Sequence, residues 1–360
     1  MLLAILRRAA LGLLVPLGGA QAGEVKEVTY QQWPALEMTN GETQVTIAPA
    51  LGGRIIQYTF RGHEFLYWNP ALAGRVLSAE AEDIGTWTWQ NYGGDKLWPA
   101  PQGWSGAGEW PGPDKMIEDQ VPFEAQVVSA SGPEVRVDLL GPRMRNWSGL
   151  QFSRSLVLRD ASARLDIVST IRNVSAQPQT WSVWAVTQIA AGDAHGRART
   201  DLRVVAPLNP ASVFPRGFEI LYGQANHPSF TIDRAQGLFV ATFTDRVGKA
   251  GLDSSGGWAA LIDEGAGLAL IQRFVHNPAA SYPDRTSFTV WLNAPGSFIA
   301  GGEEFTLADE PAQTPRYVEM ELLSPLVRLL PGQSYSCATS WEALAGGLPE
   351  VLQLCRAEGR

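Results

Sequence analysis

Apolar residues recur at every second position in many short runs of this chain: Val45 and Ile47; Val135, Val137 and Leu139; Phe152, Leu156 and Leu158; Leu165 and Ile167; Phe288 and Val290; Val318, Met320 and Leu322. A period of two predicts β-strands with one buried face. The runs are separated by clusters such as Asn40-Gly41, Ser131-Gly132-Pro133 and Arg159-Asp160-Ala161-Ser162, which read as hairpin turns. The expected architecture is all-β, an antiparallel meander. Helical signal is confined to residues 342–354, where one or two short helices are expected despite Gly346, Gly347 and Pro349. Strands do not alternate with helices, which argues against a parallel α/β sheet, and the absence of a 20- to 50-residue repeat argues against a propeller. A single large two-layer sandwich over residues 23–360 is expected.

The first residues change the setting. Arg7 and Arg8 precede an apolar run over residues 9–17, and Ala20-Gln21-Ala22 follows as a small-x-small cleavage pattern. Residues 1–22 therefore read as a cleavable secretory signal. Gly12, Pro16 and Gly18 interrupt the run, so it falls short of the roughly 20 apolar residues of a membrane span. A secreted or periplasmic, soluble product is expected. In such an oxidising compartment Cys337 and Cys355, the only two cysteines, are expected to form a disulfide, with two buried thiols as the alternative.

The formal net charge is −8, and only Lys26, Lys96, Lys115 and Lys249 are lysines. Without a basic cluster, nucleic acid is not an expected partner. His63, His195, His227 and His276 show no metal-ligand spacing, and no G-x-S-x-G occurs. The glycine pairs at Gly52-Gly53, Gly256-Gly257 and Gly301-Gly302 lack the strand-to-helix context of a phosphate loop. No cofactor or metal is expected.

Candidate chemistry gathers in two places. Trp87, Trp89, Trp98, Trp104 and Trp110 crowd a stretch rich in Gly and Pro, which reads as a long irregular loop. Aromatic faces suit the C–H faces of sugar rings while neighbouring polar groups bond the hydroxyls; the alternative is that the rings cap one end of the sandwich. Lys96 lies among them. The second place is Glu319 and Glu321, two residues apart on one strand face, about 6–7 Å along the chain. Facing a cleft, they would repel and raise one pKa, as an acid–base pair requires. On an open strand face they are ordinary solvated carboxylates. Tyr282 and Asp284, after His276, precede a core strand and could reach the same rim.

Several stretches together resemble the galactose mutarotase-like superfamily, and within it a family of bacterial proteins of unknown function. They are VTIAPALGGRIIQYTFRGHEFLYWNP from Val45, NYGGDKLWPAPQGW from Asn91, FSRSLVLRDASARLDIVSTIRNVSAQPQTWSVWAVTQ from Phe152, SFTVWLNAPGSF from Ser287 and YVEMELLSPLVRLLPGQS from Tyr317. The resemblance implies a mainly antiparallel β-supersandwich with an open carbohydrate cleft. It also implies that a glutamate on the late strand, Glu321 or Glu319, stands where epimerases of the superfamily carry their general base. Their catalytic histidines have no counterpart here: the matching strand reads WSVWAVTQ from Trp181. The first expectation is therefore an exported carbohydrate-binding protein whose cleft uses Asn91, Gly94, Lys96, Trp98, Trp184, Gln188 and Tyr282. Alternatives are an aldose 1-epimerase-like isomerase with Glu321 or Glu319 as base, and a structural or interaction protein of the envelope.

Overall fold

Neighbouring strands Leu150–Arg159 and Arg164–Asn173 pair antiparallel through Leu158↔Leu165, closed by the turn anticipated at Asp160-Ala161. Every second residue points inward: Phe152, Leu156, Leu158, Leu165, Ile167 and Ile171 are buried. Each such side chain contributes about 1.5–3 kcal/mol on leaving water. The computed structural model describes residues 22–76, 89–102, 119–144 and 148–358. The remainder of the expected signal segment, and Trp87, Trp104 and Trp110, lie outside these residues.

Among the described residues two large antiparallel sheets face each other, with a separate hairpin, Gly296–Ala300 with Glu303–Leu307. In the first sheet the central order is Gly248–Leu252, Phe288–Asn293, Tyr317–Leu323, Gln179–Ala190, Asp95–Ala100 and Arg54–Phe60. The second includes Leu268–Phe274, Ser334–Ala345, Arg164–Asn173 and Leu150–Arg159. One apolar core joins them, with Ile47, Leu97 and Leu322 from the first sheet against Val137, Phe152, Leu270 and Trp341 from the second. The expectation of a simple meander holds only locally, as from Gly23–Tyr30 to Arg54–Phe60. The centre of the first sheet instead joins strands far apart in sequence. No helix among the described residues is long and apolar enough to cross a membrane.

Three expectations are corrected here. Residues 342–345 continue the strand Ser334–Ala345, and the helix, Leu348–Glu358, begins only after Gly346 and Gly347. Two glycines cost a helix interior too much, and Gly346 takes φ 120°. Next, no disulfide joins Cys337 to Cys355. Cys337 packs toward the core between the sheets. Cys355 lies on the helix, whose apolar face (Leu348, Val351, Leu352, Cys355) covers Ile262 and Ile271 in a separate cluster. The second sheet stands between the two thiols.

Lastly, the Gly- and Pro-rich stretch contains a regular strand, Asp95–Ala100, buried throughout. It pairs along its length with Gln179–Ala190, but touches Arg54–Phe60 only at Ile55↔Asp95. With one edge nearly unpaired, Pro99 is tolerated in the strand. Gly93 and Gly94 lead into it at φ 90° and 69°. A Cβ on Gly93 would lie 2.2 Å from the Tyr67 carbonyl oxygen, and one on Gly94 2.4 Å from that of Ile55. Gly93→Ala is expected to cost at least about 2 kcal/mol, since the left-handed backbone alone costs about 1–2 kcal/mol for an L-residue. A urea midpoint equal to that of the parent chain would refute this reading of the pair.

Candidate functional site

The centre of the first sheet carries polar side chains on both faces, sorted by strand alternation. Cross-strand partners share a face, so Val186↔Lys96, Val186↔Glu321 and Gln188↔Glu319 align Lys96, Gln188, Glu319 and Glu321 on one side. Thr289↔Glu321 and Lys249↔Trp291 extend it. This is the side away from the second sheet, because the intervening Asp95 and Thr187 reach Arg154 and Gln272 of that sheet.

Each glutamate is matched to one lysine. Glu319 Oε1 accepts from Gln188 Nε2 at 2.7 Å and lies 3.3 Å from Lys96 Nζ. Glu321 Oε2 accepts three bonds, from Lys249 Nζ at 2.7 Å, Trp184 Nε1 at 2.8 Å and Thr289 Oγ1 at 2.6 Å. Lys96 Nζ sits 4.5 Å from the Trp98 ring centroid and Lys249 Nζ 4.7 Å from that of Trp184, close enough for cation–π attraction. The cluster is therefore two Lys–Glu pairs walled by indoles. Glu319 is 8% exposed and Glu321 fully covered, so neither is a carboxylate on an open strand face.

Burial sets the proton affinities. It pushes the Glu321 carboxyl above its usual range, with the charge of Glu319 adding and Lys249 opposing. Burial, with help from the nearby Arg54 charge, lowers Lys96 against the pull of Glu319. For Lys249 burial also works downward, yet the Glu321 carboxylate outweighs it and the ammonium is held above its usual value. Two buried acceptors, Glu321 Oε1 and Gln188 Oε1, have no donor among the described residues. An unpaired buried acceptor costs about 1–3 kcal/mol, so hydroxyl or water donors are what this cluster would favour.

A cavity of about 310 Å³ adjoins the cluster, lined by Trp184, Lys249 and Thr289 together with Tyr222, Asp284 and Ile299. A second, of about 330 Å³, opens beside Val183, Leu322, Tyr335 and Cys337 without a charged side chain. The polar cavity, reached by Lys249 of the Lys249–Glu321 pair, is the candidate site. Its size lies near the lower end of small-molecule sites, about 300–1,000 Å³.

Of the residues expected in the cleft, Lys96, Trp98, Trp184, Gln188, Glu319 and Glu321 come together. Trp98 and Trp184 do not present open stacking faces, however; they pack edge to face at 5.2 Å and are nearly covered. Gly94 acts through its backbone, its carbonyl accepting from Gln188 N–H at 3.0 Å and its N–H donating to Tyr67 at 2.7 Å. Asn91 braces the same turn, its carbonyl accepting from Asn69 Nδ2 and its Oδ1 from Gly93 N–H. Tyr282 stacks on His276 and accepts the Asn277 N–H through its hydroxyl, and does not line the cavity. Sequence reasoning passed over Thr289, which carried no signal, and Lys249, whose signal was a lysine inside the strand GKAGL. The histidines lie elsewhere. His227 Nε2, for example, donates to the Val247 carbonyl at 2.8 Å while its Nδ1 accepts the Ser229 N–H. No group of three or more metal-ligating side chains occurs among the described residues.

This architecture is that of the galactose mutarotase-like proteins. Similar solved structures include YeaD, a candidate mutarotase from Salmonella typhimurium, with TM-score 0.56 at 10% identity over 89% of this chain and 94% of that one. A galactose mutarotase-like protein from Lactobacillus casei gives 0.50 at 11% identity, over 86% of this chain and all of that one. A TPR-domain containing protein from Parabacteroides distasonis gives 0.52 at 16% identity; 88% of this chain spans about half, 48%, of that protein. No curated protein matches by sequence. The chain belongs to the family described as a domain of unknown function, DUF4380, whose sequence profile matches residues 34–344.

Proposed function

We propose that this protein binds a small sugar in the cavity over Trp184, Lys249 and Thr289. The observation that carries the proposal is the polar wall of that cavity: Lys249 and Thr289, which line it, both donate to the buried Glu321, whose Oε1 is left without a donor among the described residues. A polyhydroxylated ligand supplies such donors, and the fold is shared with proteins named for galactose mutarotation. Export belongs to the same reading. Cleavage after Ala22 would leave the Gly23 amino group 2.5 Å from Asp160 Oδ1, where an ammonium gains a charge-assisted bond.

Titrating the protein with a panel of free monosaccharides should give saturable quenching of tryptophan fluorescence. Thr289→Val, which removes one donor to Glu321 at nearly constant volume, should weaken that binding by about tenfold, the equivalent of about 1.4 kcal/mol. Absence of saturable quenching with every sugar tested would remove the proposal.

A second reading, aldose ring opening, is favoured by one observation: Lys96 is shifted down and Glu321 up within one cluster. Opposed shifts of this kind bring a proton donor and an acceptor toward the same pH range. Polarimetry would then show acceleration of sugar mutarotation that Glu321→Gln abolishes.

A further inference from the structure

We propose that the cleft between the two sheets, beside Ser169, Ala185 and Cys337, binds a small uncharged aromatic molecule bearing a hydroxyl. This cleft and the polar cluster lie on opposite sides of the first sheet, so the proposal stands apart from the sugar reading. Strand register places the walls. In the second sheet the cross-strand partners are Ile167↔Thr339, Ser169↔Cys337 and Ile171↔Tyr335; Ile167 and Ile171 are core residues, so Tyr335, Cys337 and Thr339 point inward with them. From the first sheet Ala185 and its partner Leu322 point toward them. Inward positions of a sandwich are normally covered by the opposite sheet. Tyr335, Cys337 and Thr339 are instead only half-buried, whereas Trp341, farther along the same strand, is 2% exposed. The sandwich is open at this end, where the strands Leu268–Phe274 and Tyr317–Leu323 finish. Phe274 and Leu323 line the opening, and Val275 at its rim is 76% exposed.

Small side chains make the gap. Facing sheets stand about 10 Å apart, and side chains from both normally fill the space; here the first sheet contributes Ala185 and the second Ser169 and Cys337. What is left open is about 330 Å³. An apolar cavity of about 150 Å³ already accepts benzene, so a substituted ring fits. Larger occupants do not. A helix, about 10–12 Å across with its side chains, is thicker than the space between the sheets. An extended segment would bury its N–H and C=O groups against strands whose own backbones are already paired on both sides.

The lining sets the class of ligand. Val183, Phe274, Leu322 and Pro325 offer apolar contact, and no charged side chain lines the cleft among the described residues. A carboxylate or ammonium entering there would lose its hydration and gain no counter-charge. Burial pushes the Cys337 thiol up to about 12, with the Arg154 charge opposing, and Arg154 itself is held by Asp95. The sulfur is therefore neutral at ordinary pH. Together with the Phe274 ring it favours an aromatic guest over an alkyl one, through sulfur–ring and ring–ring contacts. The hydroxyls of Ser169 and Thr339 also line the cleft and can bond one hydroxyl on the ring. A monosaccharide, hydroxylated all round, would face mostly apolar walls.

The test is a fluorine NMR titration of the full chain with para-fluorophenol, para-fluorotoluene and para-fluorobenzoate. The phenol should bind saturably, and the benzoate at least about tenfold more weakly, since it would carry a charge into a site without a partner for it. Ser169→Ala removes one hydroxyl and should weaken the phenol about three- to tenfold, the range of a neutral hydrogen bond, while leaving the toluene unchanged. Ala185→Leu should block both by filling the gap; Ser169→Ala decides the point even where Ala185→Leu fails to fold. No saturable binding of the phenol, or benzoate binding equal to it, would overturn the proposal. So would a phenol affinity that neither variant moves, which would put the ligand elsewhere. Phenol binding lost as protein concentration rises would overturn it too, because a second copy of the chain would then cover the opening.

Discussion

Asp95→Ala is expected to destabilise the fold by about 3–5 kcal/mol, the usual effect of taking one partner from a buried ion pair. Asp95 belongs to the first sheet and Arg154 to the second, and both are almost wholly covered. Arg154 Nη2 donates to Asp95 Oδ1, Thr187 Oγ1 donates to Oδ2 at 2.8 Å, and Gln272 Nε2 donates to Thr187 at 2.8 Å. Without the carboxylate, a guanidinium that cannot lose its proton stays between the sheets without its counter-charge. Urea denaturation at neutral pH would read the loss. Adding Arg154→Met to the same chain should recover most of it, because buried pairs replaced by apolar groups of similar size are often neutral. A single variant as stable as the parent would contradict this view of the contact.

Lys249→Met should be comparably costly near pH 8, about 3–5 kcal/mol, and much less so in mild acid. Lys249 is the cation nearest Glu321, and the methionine chain fills similar space without charge. Glu321 already holds its proton more tightly in the folded state than a free carboxyl does. A carboxyl with a raised folded pKa is penalised once it ionises, so stability falls as pH rises from the unfolded to the folded value. Removing Lys249 widens that window upward. The Tm difference between variant and parent should therefore grow from pH 5 to pH 8. A difference independent of pH would mean that Glu321 does not carry the charge assigned to it.

Much of this was legible in the chain. Alternation alone located Leu150–Arg159, Arg164–Asn173 and Tyr317–Leu323, because strands with one face on a core must repeat every second residue. It misplaced Asp95–Ala100, because the prolines and glycines around that strand describe a loop. That strand is fixed by pairing with Gln179–Ala190, from Ser182↔Ala100 to Thr187↔Asp95, a partner far along the chain that local composition does not register. The ion pairs followed the same division. Glu319, Glu321 and Lys96 were visible as rare or regularly spaced charges. Lys249 and Thr289 join them only because Phe288–Asn293 lies beside Tyr317–Leu323 in the sheet and Gly248–Leu252 lies next beyond it. Tyr282 was one turn from the cavity; its neighbour Asp284 reaches it.

Asp95 and Lys96, and likewise Thr187 and Gln188, are consecutive residues facing opposite ways. The first of each pair joins the clamp between the sheets, and the second holds Glu319 on the outer face. A single peptide unit thus transmits the spacing of the sandwich to the buried polar cluster beside the candidate site. Thermal softening of the clamp should blunt ligand recognition before the strands separate, so affinity should fall with temperature ahead of the unfolding transition.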